Sequence, residues 1–370
     1  MNYLGSSFTR AKLDPNPGVT NEWIQERLNS VVCRGLEDGQ RATFGFIPFD
    51  KPERGNHHGM EHSKGEYTVF RFQRLRKRVP SSVLRMRIDE EIEKYRKAGT
   101  KPGKSVVYEI RELISAQLLT RAFPIPTGFP VIWNTQTGLM LLGTTSAALL
   151  DEFLTCFEKG FQGYPRLFFH SLWAIDLLSN DDRLKQRLKA QFAWENALAI
   201  SEARRLGYDF LTWLWYHCES DKTILIKGKE ANVKVTDKLV LVKADDRSDR
   251  VTCVTSDSML PEAREGLRKN KLVDEARIWI GIGDDEYALT LDSSLQALKS
   301  IKLPHVIRDP EGSGLDEEGL FLERMYHIEQ IQAVLDGLYG QFLSKRLLPT
   351  WERSVRDMIR ELFARTEQAA

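Results

Sequence analysis

Apolar residues recur along this chain with two different spacings, and each spacing predicts a different element. Alternation with a period of two is typical of strands, and an apolar residue every three or four positions is typical of an amphipathic helix. The alternating pattern predicts strands at residues 7–13, 42–49, 67–79, 131–133 and 139–142. The helical pattern predicts helices capped by Thr20 or Asn21 and by Ser81 or Ser82, and further helices after Gly103 and near Ser146.

The second half of the chain mixes strands and helices in the same way. Residues 223–254 alternate polar positions with Val, Ile and Thr, which predicts an antiparallel meander. The pattern then predicts a helix at 260–269, strands at 276–282 and 287–291, an acidic glycine-rich linker at 309–319, a long helix at 320–347, and an amphipathic helix after Pro349.

This order predicts an α+β protein, with antiparallel or mixed sheets flanked by helices and a helical C-terminal extension, because strands and helices do not alternate regularly as they do in parallel folds. The chain is long enough for more than one compact unit. We divide it into an N-terminal α+β region at 1–165, a second α+β region with a helical insertion at 166–308, and a linker with C-terminal helices at 309–370.

Several apolar stripes predict packed helix faces. One stripe belongs to the helix after Pro80 and another to the helix after Gly103; their members are Leu84, Ile88, Ile92 and Tyr95, then Val106, Ile110, Leu113, Ile114 and Leu118. The long helix repeats an apolar residue every seventh position, at Phe321, Ile328, Leu335 and Phe342, and such a stripe packs on a domain or on a partner subunit. The dense aromatic run at 210–216 could stack bases, but core packing is favoured.

Composition is typical of a folded protein in water, with 42% apolar and 28% charged residues among 370. The four cysteines lie far apart and form no Cys-x-x-Cys pair, which predicts buried thiols in a reducing compartment. Residues 1–14 lack the apolar core of a secretory signal, and no uncharged run is long enough to cross a bilayer. We therefore expect a cytoplasmic protein with no membrane partner.

Positive charge is concentrated between Arg71 and Lys104. This segment holds twelve Lys or Arg against four acids, whereas the whole chain has a net charge of only +1. Such clustering is typical of a polyanion-binding surface. The residues expected to contact DNA are Arg71, Arg74, Arg76, Lys77, Arg78, Arg85, Arg87, Lys101 and Lys104.

A solvated helix with internal ion pairs is the alternative interpretation of this segment. Pairs four residues apart, Glu90 with Lys94 and Glu93 with Lys97, would neutralise part of the charge. The strand arginines 74, 76 and 78 have no acid close in sequence, and this favours DNA binding.

Motifs of nucleotide hydrolysis, serine hydrolysis and zinc proteolysis do not occur. His57, His58 and His62 lie in a glycine-rich loop at 50–65 that could hold a metal, but a solvated loop is favoured. The acids at 245–246 and 284–286 are weak metal candidates. We expect no catalytic residue, no metal and no cofactor, although carboxylates could converge from distant positions.

Several segments, in this order, resemble the RdgC family of bacterial recombination-associated DNA-binding proteins. Gly45-Phe46-Ile47-Pro48 is similar to the family's Gly-Trp-Val-Pro, and Val79-Pro80-Ser81-Ser82-Val83 to its Leu-Pro-Ser-Pro-Val. Leu118-Leu119-Thr120-Arg121-Ala122-Phe123 resembles Leu-Leu-Pro-Arg-Ala-Phe, and residues 133–140 resemble the hairpin that follows it. The resemblance extends more weakly toward residue 343.

This resemblance implies a horseshoe-shaped protomer that forms a ring-shaped homodimer around duplex DNA, binds without sequence preference and restrains RecA-driven strand exchange. It implies a subunit contact at Phe123, beside Arg121, and association with the nucleoid. The chain departs from the family at 251–258, where the family's basic residues are missing, and adds residues 168–207 and the tail after Ser344. The additions could recruit another protein.

Three functions therefore stay open. The favoured one is a ring- or clamp-forming, double-stranded-DNA-binding homodimer that modulates recombination by a RecA-type recombinase or protects DNA. The alternatives are a metal-dependent DNA exonuclease and a protein-interaction scaffold that acts through the C-terminal helices.

Overall fold

A computed structural model describes residues 4–16, 18–37, 39–52, 55–191, 199–220, 223–226, 229–243, 246–255, 261–304, 316–354 and 357. The fold is α+β with open antiparallel sheet structure and a long C-terminal helix, which confirms the predicted class. In chain order the elements are β1 (Phe8–Lys12), α1 (Asn21–Ser30), β2 (Ala42–Ile47), β3 (Ser63–Lys64), β4 (Tyr67–Lys77), α2 (Ser81–Lys97), α3 (Lys104–Arg121), β5 (Pro124–Asn134), β6 (Leu139–Leu142), α4 (Ala147–Phe161), β7 (Arg166–Leu167), α5 (His170–Leu177), α6 (Asp182–Gln191), α7 (Ala199–Ser220), β8 (Thr223–Ile226), β9 (Lys229–Val242), β10 (Arg250–Thr255), α8 (Pro261–Arg268), β11 (Leu272–Ile282), β12 (Asp285–Asp292), β13 (Ala297–Lys302) and α9 (Glu317–Arg346).

The chain forms two compact units. The first, here called the arm-bearing unit, comprises Leu13–Gly138 and Ser146–Pro165. The second, here called the large unit, comprises Met1–Lys12, Leu139–Thr145 and Arg166–Ala370. Within each unit the described strand pairs are antiparallel.

The core of the arm-bearing unit is an aromatic cluster between a sheet and α4. The sheet has the order β5–β4–β2, and Phe46, Phe72 and Phe129 lie opposite one another on its three strands. Opposed residues of antiparallel strands point to the same face, so all three rings meet α4, where Phe153 lies 5.7 to 6.3 Å from them. The predicted apolar stripe of α4 is buried as expected.

The loop between β2 and β3 is held by one face of α1. Thr20 caps this helix as predicted, accepting a hydrogen bond from the amide of Trp23. The side-chain amides of Asn21, Gln25 and Asn29, each four residues apart, bond backbone groups of the loop from His57 to His62. The last part of the loop, from His57 to His62, is therefore bound to the unit.

Two histidines of this loop are buried, so the prediction of a solvated loop is wrong for them. His57 Nδ1 lies 3.2 Å from His62 Nε2, and His62 Nδ1 lies 3.3 Å from the carbonyl oxygen of Val69. Burial and the neighbouring His62 lower the pKa of His57 to about 3, and burial also lowers the pKa of His62. His58 is exposed, as predicted. Among the described residues no group of His, Cys, Asp or Glu could hold a metal ion.

The large unit has a sheet with the order β10–β9–β11–β12–β13–β1–β6, with β7 beside β1 and β8 beside β9. Helices α5, α7 and α9 pack together in this unit. The ring of Trp173 stacks on Tyr339 at 4.3 Å, and Phe210 meets Phe342 at 5.4 Å. The aromatic run of α7 is thus core, as predicted, since Phe210, Trp213 and Trp215 are buried.

A buried arginine joins β1 to α5 and α9. The guanidinium of Arg10 lies 4.5 Å from the ring centre of Trp173, donates to Gln332 Oε1 at 2.9 Å and donates to the carbonyl oxygen of Leu295. Burial lowers the pKa of Arg10 to about 10. The group keeps its positive charge near neutral pH, and the aromatic face and the acceptors offset its desolvation.

Helix α9 packs within its own unit. Its seven-residue stripe of Phe321, Ile328, Leu335 and Phe342 is fully buried. Arg346 near its end bonds Asp209 at 2.7 Å and Gln191 at 3.0 Å, so the tail after Ser344 meets the inserted helices. Most of the predicted linker and of the helix after Pro349 lies outside the described residues.

Two further expectations concern cysteines and membranes. All four cysteines are buried and free, as predicted. Within the described part of the chain, no helix has the length and hydropathy that a bilayer crossing requires.

The buried histidine pair predicts acid destabilisation of the arm-bearing unit. The pKa of His57 in the folded state lies below its unfolded value of about 6.5. Its contribution to stability is therefore complete above pH 6.5 and is lost as the pH falls toward 3, about 2 kcal/mol of it by pH 5. Urea denaturation at pH 7 and pH 5 measures this loss. In His57→Gln, the drop in unfolding free energy between pH 7 and pH 5 should be smaller by the contribution of His57. In the exposed control His58→Gln, the drop should equal that of the wild type. Equal unfolding free energies of the wild type at both pH values would contradict the prediction.

Candidate nucleic-acid interface

A helical hairpin projects from the end of two paired strands of the sheet. Strands β4 and β5 pair over their whole lengths, from Tyr67 opposite Asn134 to Lys77 opposite Pro124. The chain between these ends, residues 78–123, contains α2 and α3, which pack on each other. We call residues 78–123 the helical arm and the paired strands β4 and β5 the ribbon.

Burial falls steadily along the ribbon toward the arm. Residues 67–70 of β4 are buried, whereas Arg76 and Arg78 are exposed, and β5 is exposed from Pro124 to Gly128 and buried beyond. Strand β4 therefore has a buried inner half and a charged outer half. Only the inner half of the ribbon contributes to the core.

The apolar stripes of the arm are less buried than predicted. Helix α2 begins at Ser81 with Pro80, rather than a serine, at its N-cap, and it has no buried residue; α3 buries only Ile110. Leu113, expected in a packed face, is 61% exposed. The two helices pack on each other, and within the described chain neither has more than slight contact with another helix or strand.

Two of the nine predicted DNA-binding residues are engaged at the base of the ribbon. Arg74 forms an ion pair with Glu152 of α4, with Nη1 at 3.0 and 3.2 Å from the two carboxylate oxygens. The expectation that this arginine has no acid nearby is wrong, because α4 supplies one from 78 residues away. Arg71 is half-buried over the ring of Phe49, 5.6 Å from its centre, and burial lowers its pKa.

A third predicted residue is paired within α2. Arg87 contacts Glu90 at 3.0 Å, Lys94 contacts Glu91 at 2.7 Å, and Arg96 contacts Glu93 at 3.3 Å. These pairs are three residues apart, not four as the alternative interpretation proposed, and all are exposed. The hydrogen bond that Lys94 donates to Glu91 raises the pKa of Lys94. Exposed pairs of this kind contribute little stability, but they reduce the charge available to a ligand.

The other six predicted residues have no ion pair with any described acid, and most of them are exposed. They are Arg76, Lys77, Arg78, Arg85, Lys101 and Lys104. Sequence reasoning missed further exposed cations beside them. Arg41 lies next to the ribbon-end cations, because its carbonyl oxygen accepts a hydrogen bond from the amide of Lys77. Lys97 and Arg111 lie on the arm. The pairing of β2 with β4 brings Arg41 to this surface, and a count of charges along the sequence does not reveal that pairing.

Seven of these nine unpaired cations fall into two clusters. One surrounds the end of the ribbon, with Arg41, Arg76, Lys77 and Arg78, and the other lies near the link between the helices, with Lys97, Lys101 and Lys104. Helix α2 has 17 residues and so separates them by about 25 Å. Duplex DNA carries a phosphate charge about every 1.7 Å along its axis, so both clusters can engage one duplex.

Large apolar side chains accompany the charge. Phe123, between α3 and β5, is 88% exposed, and Tyr108 on α3 is 65% exposed. Met86 and Ile125 are also exposed. Contiguous exposed apolar residues on a folded unit are typical of an interaction surface. Arg121, two residues before Phe123, is exposed beside it.

Residues 12–172 match the family model described as RdgC, putative exonuclease. The segment is less than half of the chain, and the match is consistent with a longer, divergent RdgC-like protein. The resemblance inferred from the sequence is confirmed over this range, which includes the whole ribbon and the helical arm. No curated protein matches the chain. The RdgC match supports recombination-associated DNA binding at the level of the family.

Proposed function

We propose that this chain binds double-stranded DNA without sequence preference, through the unpaired cations of the ribbon end and the helical arm. The observation that carries the proposal is the set of Lys and Arg side chains that no described acid neutralises, on an arm that projects from the fold. Lys and Arg contacts to phosphate fix a protein on a duplex but carry no sequence information. Arg71 and Arg74 were predicted to contact DNA, but their side chains instead contact Phe49 and Glu152 and support the ribbon.

We further propose that the protein acts as a homodimer that forms a ring or clamp and modulates homologous recombination by a RecA-type recombinase at the nucleoid. The exposed side chains of Phe123, Tyr108 and Leu113 support this, because apolar surface of this extent is stabilised by burial against another surface. Phe123 lies beside the ribbon-end cations. Dimer contact and DNA contact would therefore be neighbours on the arm.

Two other functions follow from other observations. The family description includes a putative exonuclease, and an exonuclease would degrade the DNA that a clamp only binds. The contacts of Arg346 with Gln191 and Asp209 favour a protein-binding surface on the large unit, where the start of the tail meets helices α6 and α7.

Removing the ribbon-end cations should weaken DNA binding and its dependence on salt. The nine unpaired cations named above predict a log–log slope of affinity against salt concentration of about −8 per chain, and Arg76→Ala/Lys77→Ala/Arg78→Ala should reduce its magnitude by about 3. Fluorescence anisotropy of a labelled duplex between 50 and 200 mM salt, concentrations at which such slopes are usually measured, gives both values. The control Arg183→Ala/Lys189→Ala/Lys269→Ala removes the same charge from the large unit. Equal slopes for the two triple variants would contradict the proposal.

Truncating the exposed phenylalanine should weaken self-association. Phe123→Ala removes the most exposed large apolar side chain of the arm, so the dimer dissociation constant from sedimentation equilibrium should rise. The folded unit should keep its melting temperature, because Phe123 is not part of the core. Phe169→Ala, at an exposed phenylalanine of the large unit, is the matched control. A dimer unchanged by Phe123→Ala, or a monomeric wild type, argues against the proposed contact.

Incubation of end-labelled linear duplex with Mg²⁺ or Mn²⁺ separates the clamp from the exonuclease. A clamp should leave the label in full-length DNA when the protein saturates the duplex. Progressive release of labelled nucleotides, dependent on the metal, would instead establish the exonuclease.

A further inference from the structure

The ion pair between Arg74 and Glu152 lies where the buried half of the ribbon ends. Toward the core, Phe72 and Phe129 pack on Phe153 of α4, the residue next to Glu152. Toward the arm, Arg76 and its cross-strand partner Ile125 are exposed. In the described chain this pair is the outermost hydrogen bond or ion pair between α4 and the ribbon.

The pair is well placed to resist movement of the ribbon. Only 18% of the Arg74 side chain and 29% of the Glu152 side chain are exposed, and one guanidinium nitrogen contacts both carboxylate oxygens. A charge-assisted contact in partly desolvated surroundings is stronger and more directional than an exposed pair. Arg74 Nε is buried without a hydrogen-bond partner, so its orientation depends on the contact with Glu152.

Beyond this pair, the outer half of β5 is exposed and pairs with β4, which in turn pairs with β2 as far as Arg76. A sheet segment of few strands without a buried face gains little stability from packing, and the twist between its strands varies widely. A small rotation at its base is amplified along α2, where 10° at a distance of about 25 Å moves the far cluster by about 4 Å. Such a displacement exceeds the spacing between neighbouring phosphate charges along a duplex.

We infer that Glu152 is a positioning residue: through Arg74 it fixes the ribbon against α4 and so holds the two clusters of cations in register with the DNA backbone. Arg74 is then not a phosphate contact, although it lies in the basic segment. The part of this inference that concerns DNA rests on the proposed function; the part that concerns the ribbon does not.

Glu152→Gln tests the inference, because it removes the charge while keeping the size of the side chain. Amide hydrogen exchange should become faster at residues 74–77 and 124–128, and the double swap Arg74→Glu/Glu152→Arg should restore the slow exchange. Asp151→Asn, at an exposed neighbour on the same helix, is the matched control and should leave exchange unchanged. Wild-type exchange rates in Glu152→Gln, or no recovery in the swap, would overturn the inference.

The second part of the test compares how the affinity for DNA depends on salt concentration. Glu152→Gln should raise the dissociation constant for duplex DNA and leave the slope unchanged, because no phosphate contact is lost. Arg74→Ala should do the same, whereas Arg76→Ala should reduce the magnitude of the slope by about 0.9. A slope change in Arg74→Ala equal to that in Arg76→Ala would overturn the assignment of Arg74. If the wild type shows no steep slope, the proposed function fails while the exchange experiment still decides the role of Glu152.

Discussion

The antiparallel register of β4 and β5 is the constraint on which the arm-bearing unit depends. Because the two strands pair without a shift from Tyr67 to Lys77, both ends of the helical arm leave the sheet at the same point. Side chains alternate along each strand, so a slip by one residue would turn both Phe72 and Arg74, which share a face, away from α4. The same register therefore places aromatic rings against α4 and carries the cations outward.

The inner half of the ribbon packs in the core, and the outer half carries exposed positive charge. The rings around Phe46 bury the inner half, where the hydrophobic effect stabilises the sheet. The outer half has no such support, which makes it free to carry Lys and Arg at little desolvation cost. The orientation of the outer half therefore depends on a few polar contacts where the two halves meet. The ion pair between Arg74 and Glu152 lies there.

Periodicity in the sequence predicted the parts of this structure that local pattern determines. It located β4, α4 and α9 and the buried stripes of the last two, because an amphipathic element with a continuous core face leaves a clear signal. It failed for α2 and α3, since a stripe shows which face is apolar but not whether another element covers it. The burial of His57 depends on amides of α1 about 30 residues away, and no local spacing encodes that contact.

The same limit applies to charge. A local sum treats every Lys and Arg as equal, whereas a ligand meets only the cations that the fold leaves exposed and unpaired. Here α4 pairs Arg74, Phe49 covers Arg71, and acids one turn away pair Arg87, Lys94 and Arg96. Sheet pairing adds Arg41, which the basic segment excludes. The candidate interface thus holds fewer cations than the segment that revealed it, and it is better defined in space, because a helix of known length separates its two clusters.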